Sequence, residues 1–198
     1  MSALAALRKF ARRRPVGESC DLCAAPLAPA HGHVIERKTG NLRCACTSCE
    51  RVLVAPGTAW ASVRRRLQRL EDVRLTDEEW RAFGLPIDLA FFLTRGATGR
   101  VVVRYPSPAG TVESAVPLPT WQAVVAANIA LSGLEADVEA FVVNRVAGRR
   151  DYFVASVDEC YRLVGLIRLH WTGFAGGPAV WRAIDTFFAG AATHGARA

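Results

Sequence analysis

Five of the six cysteines, Cys20, Cys23, Cys44, Cys46 and Cys49, fall within thirty residues of one another. In a reducing compartment such a cluster reads as a metal site before a disulfide framework. Cys20-Asp-Leu-Cys23 and Cys46-Thr-Ser-Cys49 are both C-x-x-C steps. Two intervening residues fold the chain back and leave both sulfurs on one side, so each step is a knuckle with two ligands. Together they supply the four thiolates that tetrahedral zinc takes at about 2.3 Å. Twenty-two residues separate the knuckles, slightly more than the usual ribbon interval of about 15–20. Val34–Arg43, with Thr39-Gly40-Asn41 at its centre, is predicted as the hairpin that closes this gap. Four thiolates fill zinc's coordination sphere and leave no place for water, so the site reads as structural.

Three further residues are alternates for the metal. Cys44-Ala-Cys46 offers a second pair in place of Cys49, although a one-residue spacer is a poorer chelate. His31 and His33 carry imidazoles, which are good zinc ligands, but in a Pro/Gly-rich loop their plainer reading is solvation. Iron is the rival metal, since rubredoxins use the same two-knuckle geometry. Rubredoxin knuckles place glycine after the second cysteine; here Ala24 and Glu50 stand there, which favours zinc. Cys160 shares a helical stripe with Leu163, Val164 and Ile167 and is predicted to be core. No phosphate-binding, dinucleotide-binding or nucleophile-elbow motif occurs, so an enzyme is the weaker expectation.

The elements that must position these residues follow from composition and periodicity. With 51% hydrophobic and 22% charged residues in 198, the chain is globular, and its apolar runs are too short to span a bilayer. An apolar start followed by Arg8, Lys9 and Arg12–Arg14 reverses the order of a secretory signal, which points to the cytoplasm. The division expected is a basic helix at 1–17, a zinc-ribbon-like metal module at 18–58, a basic connector at 59–71 and an α+β domain at 72–198. In that domain Ile87–Thr94, Arg100–Tyr105 and Thr111–Val116 read as a meander, and Val138–Val146 with Asp151–Ala155 as a second hairpin. Helices are predicted from capping boxes at Thr76/Glu79 and Ser156/Glu159, from Pro119, and from the stripe Val180, Trp181, Ile184, Phe187, Phe188. The fold class is thus α+β, an antiparallel sheet of about five strands with helices on one face.

Charge is uneven. Residues 1–70 hold 13 Lys/Arg against 4 Asp/Glu, and residues 71–198 hold 12 against 14, for a net +7. A basic face including Arg12–Arg14 and Arg64–Arg66 suits an acidic protein partner, with nucleic acid ranked second and a solvated surface as the plain alternative.

Several stretches together resemble an uncharacterised bacterial family, a domain of unknown function encoded beside nickel-iron hydrogenase genes. They are Cys20-Asp-Leu-Cys23, the His31/His33 pair, Cys44-Ala-Cys46-Thr-Ser-Cys49, Tyr105–Gly110, Glu139–Arg145, Cys160–Gly165 and Gly176–Arg182. The resemblance implies a role in hydrogenase assembly, maturation or electron supply, with a hydrogenase subunit or maturation factor as partner. The leading expectation is a metal-binding, non-enzymatic accessory protein. A zinc-ribbon nucleic-acid binder and a rubredoxin-like iron redox carrier are the alternatives.

Overall fold

A run such as Leu89-Ala-Phe-Phe-Leu93 has no polar position to turn toward water, so a strand made of it must be covered on both faces. In the computed structural model, which describes residues 17–107, 110–173 and 176–194, it is. The helix expected over Leu4–Arg13 lies outside the described residues. The described chain runs β1 (Gly32–Glu36), β2 (Asn41–Ala45), α1 (Thr47–Leu53), β3 (Trp60–Val63), β4 (Leu67–Leu70) and α2 (Asp77–Ala82). It continues with β5 (Leu89–Arg95), β6 (Arg100–Ser107), β7 (Gly110–Ala115), α3 (Leu118–Ala127), β8 (Glu139–Asn144), β9 (Asp151–Ser156), α4 (Val157–His170) and α5 (Gly177–His194).

Two antiparallel sheets result. One is three-stranded, in the order β2-β1-β3; the other is six-stranded, in the order β4-β9-β8-β5-β6-β7. The meander β5-β6-β7 and the hairpin β8-β9 are present as expected. The sheet has six strands rather than about five because residues 67–70, inside the expected connector, pair with β9 as an edge strand.

The expectation of helices on one face is corrected. Leu89, Phe91 and Leu93 of β5 pack with Ala140, Val142 and Phe153 beneath α4 and α5. The alternating set, Ala90 and Phe92 with Phe141, Val143 and Tyr152, packs beneath Trp80 and Phe83 near α2 and Trp121 and Val124 of α3. Successive strand side chains point to opposite faces, and both faces here are apolar. The continuous apolar runs of β5 and β8 carried this signal.

Capping follows the sequence at one site and departs from it at another. Thr76 and Glu79 form the reciprocal box at α2. Ser156 is the N-cap of α4 but makes no capping bond. Its hydroxyl instead donates to Asp158, and Glu159 pairs with Arg65 and Arg162. A third cluster joins the sheets: Ile35, Ala61 and Val63 of the small one meet Val138 and Val157, with Leu42 and Tyr161 at its edge.

Candidate metal centre

The β1–β2 hairpin holds the two knuckles together. Its register runs from Gly32↔Ala45 to Glu36↔Asn41, so the end of β2 returns to where the first knuckle begins. That knuckle docks on β2 through its aspartate: the Asp21 amide donates to the Cys44 carbonyl at 2.9 Å, and the Cys44 amide donates to Asp21 Oδ2 at 2.7 Å. Beyond β2, Cys46 is the N-cap of α1 and Cys49 lies in its first turn, so both sulfurs sit at the positive end of a helix. Ser62 of β3 donates to Glu50 Oε1 at 2.5 Å and ties α1 to the sheet.

The result is a four-sulfur cluster. Cys20, Cys23, Cys46 and Cys49 bring their Sγ atoms within 4.8 Å of one another. Cys23 and Cys46 are 3.8 Å apart, the edge of a tetrahedron of sulfurs set about 2.3 Å from a central ion being roughly 3.8 Å. The Cys46 amide also points at Cys20 Sγ, at 3.4 Å. Burial opposes ionisation of Cys20, yet hydrogen bonds from the Cys46, Leu22 and Cys23 amides bring its thiol down to about 6. Cys49 is pushed up to about 12 because Cys46 and Cys23 hold its proton between sulfurs, with burial adding to the effect. A divalent cation entering the cluster displaces that proton.

Of the two positions that carry glycine in a rubredoxin knuckle, Glu50 lies inside α1 and Ala24 lies in a turn. Ala24, directly after the first knuckle, takes φ 61, the left-handed conformation that glycine would adopt, and its amide closes the turn on the Cys20 carbonyl at 2.8 Å. The knuckle therefore forms with alanine, at a backbone cost of about 1 kcal/mol. Ala24→Gly is expected to strengthen metal retention about fivefold against a competing chelator, which is that ~1 kcal/mol expressed as a ratio. Unchanged or weaker retention would show that the turn is unstrained.

Cys44 falls outside the four-sulfur group. It lies with His31 and His33 in a second group, whose ligand atoms are also within 4.8 Å of one another. Burial pushes the Cys44 thiol up, as do the carboxylates of Asp21 and Glu18. The plain expectation of solvated histidines is not met: the His31 side chain is only 7% exposed. The spacing His31-Gly-His33, opposite Cys44 on a hairpin, was the available signal. Cys160 is buried in the core between the sheet and α5, and burial pushes its thiol up.

Residues 19–195 match the model of a family of unknown function, DUF5947. The chain belongs to that family. Neither the curated proteins nor the solved structures contain a match. The matched span takes in both knuckles and both sheets, so DUF5947 treats the cysteine module and the larger sheet as one unit.

The DUF5947 chain has a second concave feature away from the sulfurs. A groove of about 1000 Å³ runs between β4, α4 and α5, lined by Arg65, Arg66, Arg162 and Arg182 with Phe187 at its base. Glu159, buried beneath it, pairs with both Arg65 and Arg162, and Arg162 also lies over the Phe187 ring at 4.5 Å. Arg66 pairs with Glu139 at 2.5 Å. Two of the three arginines of the predicted basic run are thus fixed in place by carboxylates. Four guanidinium groups against the two carboxylates that pair with them, Glu159 and Glu139, leave the groove positive. Among the described residues no helix is long and apolar enough to cross a membrane.

Proposed function

We propose that this protein is a non-enzymatic accessory factor whose four-cysteine centre holds structural zinc and which works by docking on an acidic protein surface. The observation that carries the reading is the closed four-sulfur cluster at the junction of β2 and α1, where a metal fixes a small sheet with little core of its own. The arginine-lined groove supports the docking half. Arg65 and Arg162 are held in position by Glu159 and Arg66 by Glu139, so these three lose little conformational entropy when an acidic partner binds.

The resemblance to a family encoded beside nickel-iron hydrogenase genes supplies the client: a hydrogenase subunit or one of its maturation factors. In a host with such an enzyme, deleting the gene is expected to lower hydrogenase activity. The native chain should restore it and Cys20→Ser should not. Unchanged activity in the deletion strain would remove the client from the proposal. Arg182→Glu with Arg64→Glu is expected to slow association about tenfold at low ionic strength, with the difference closing as salt rises. Protein purified without oxygen is expected to be colourless with zinc in the cluster. A red product with sulfur-to-iron charge-transfer bands would install the redox-carrier reading instead.

A further inference from the structure

We propose that His31, His33 and Cys44 form a second metal centre, separate from the four-sulfur cluster, which takes a divalent transition-metal ion on two imidazole nitrogens and one thiolate. The placement begins in the hairpin. His33 and Cys44 are direct cross-strand partners in β1 and β2, so their side chains rise from the same face. His31 precedes His33 by two residues and falls on that side as well; the two rings lie 4.9 Å apart. Further along the same face, Ile35 and Leu42 enter the apolar cluster between the sheets. The three donors therefore sit at the mouth of an interior seam.

Hydrogen bonding chooses the donor atoms. His31 Nδ1 is 2.9 Å from the Ala28 carbonyl, which can only accept, so this nitrogen carries the proton and Nε2 carries a lone pair. His31 Nε2 is buried without a hydrogen-bond partner. A buried, unpaired imidazole nitrogen in a ring 7% exposed is costly unless something fills the space before it. His33 repeats the pattern: its Nδ1 faces Asp158 Oδ2 at 3.2 Å. Asp158 Oδ1 already accepts from the Ser156 hydroxyl and from the Glu159 amide at 2.8 Å, which leaves Oδ2 as the acceptor that faces the imidazole. It therefore accepts from His33 Nδ1, which turns Nε2 outward as a ligand. A backbone carbonyl behind one imidazole and a carboxylate behind the other is the outer-shell support that metal-bound histidines have.

Cys44, His33 and Asp158 are also the side chains of a cysteine nucleophile with its base and orienter. The surroundings argue for a cation. The Asp21 carboxylate accepts from the Cys44 amide at 2.7 Å and Glu18 lies 3.4 Å from His31 Nδ1, so negative charge flanks the three donors and favours a bound dication. With three protein ligands the centre has an open fourth position, unlike the four-sulfur cluster. Solvent or a side chain of a docked partner would complete it.

The test is metal counting on the full-length chain, and it does not depend on the identity of any client. Metal-free protein titrated with cobalt(II) is expected to take two equivalents per chain, each adding the visible bands of four-coordinate thiolate-bound cobalt. Added imidazole should shift the bands of one equivalent and leave the other unchanged. Cys44→Ser and His33→Gln should each bind one equivalent, with the four-sulfur spectrum intact as evidence that the fold survives. Asp158→Asn should keep the second equivalent but weaken it roughly 10–100-fold. One equivalent in the native chain, or two in Cys44→Ser, would overturn the proposal. So would selective alkylation of Cys44 that added metal does not prevent, which would put a nucleophile in place of a ligand.

Discussion

Cys20→Ser is expected to cost the chain the metal of the four-sulfur cluster and to unfold the small sheet, taking with it the second centre on β1 and β2, while the six-stranded sheet persists. Cys20 is the buried member of the cluster and the sulfur to which the Cys46 amide points, so it joins the two knuckles even before a metal is counted. Removing one thiolate opens a closed tetrahedral site, and apparent zinc-binding energies for such sites are on the order of 10–16 kcal/mol. That exceeds what a three-stranded sheet of four- and five-residue strands can replace by packing. Amide exchange should therefore lose its protection in residues 32–63 and keep it in β5, β8 and β9. The larger sheet should also become less stable, because Val138 and Val157 lose the cover of Ile35, Ala61 and Val63. Retained zinc with unchanged exchange would mean that Cys20 is an ordinary buried thiol.

Phe92→Ala is expected to destabilise the protein by about 3–5 kcal/mol in denaturant unfolding, with the loss falling on the six-stranded sheet. The ring is fully buried, 4.7 Å from Phe83, stacked on Trp121 at 5.2 Å and 6.2 Å from Phe141. The effect tests the architecture as well as the residue. In a sheet covered on one face only, either Phe91 or Phe92 would meet water, and its truncation would cost little. Here Phe91 lies beneath α4 and α5 and Phe92 beneath α3, so both should be costly. The two losses should also be close to additive, because the sheet backbone separates their contacts. A loss under about 1 kcal/mol at Phe92 would place the second layer of helices elsewhere.

What could be read along the chain was what short-range chemistry controls. The C-x-x-C spacing folds each knuckle locally, Thr39-Gly40-Asn41 makes the hairpin turn, and Thr76 with Glu79 caps α2 within four residues. The burial of Cys160 followed from helical periodicity alone. Other features depended on partners far away in sequence. Leu67–Leu70 is a strand because β9 lies beside it, eighty or more residues on, and nothing in its own pattern requires that. Ser156 and Glu159 have the residue types of a capping box, but Asp158, Arg65 and Arg162 compete for both side chains, and charged partners win. Ala24 takes a left-handed turn without being glycine, its amide closing on the Cys20 carbonyl, so the residue type at that position did not report the backbone conformation. His31, His33 and Cys44 were visible only as alternates for one site. Strand pairing put His33 opposite Cys44, and the first turn of α4 brought Asp158 behind His33. A second ligand set thus came from residues up to 127 positions apart. Sequence determines which side chains can bind a metal; the long-range pairing of strands and helices determines which of them face the same point.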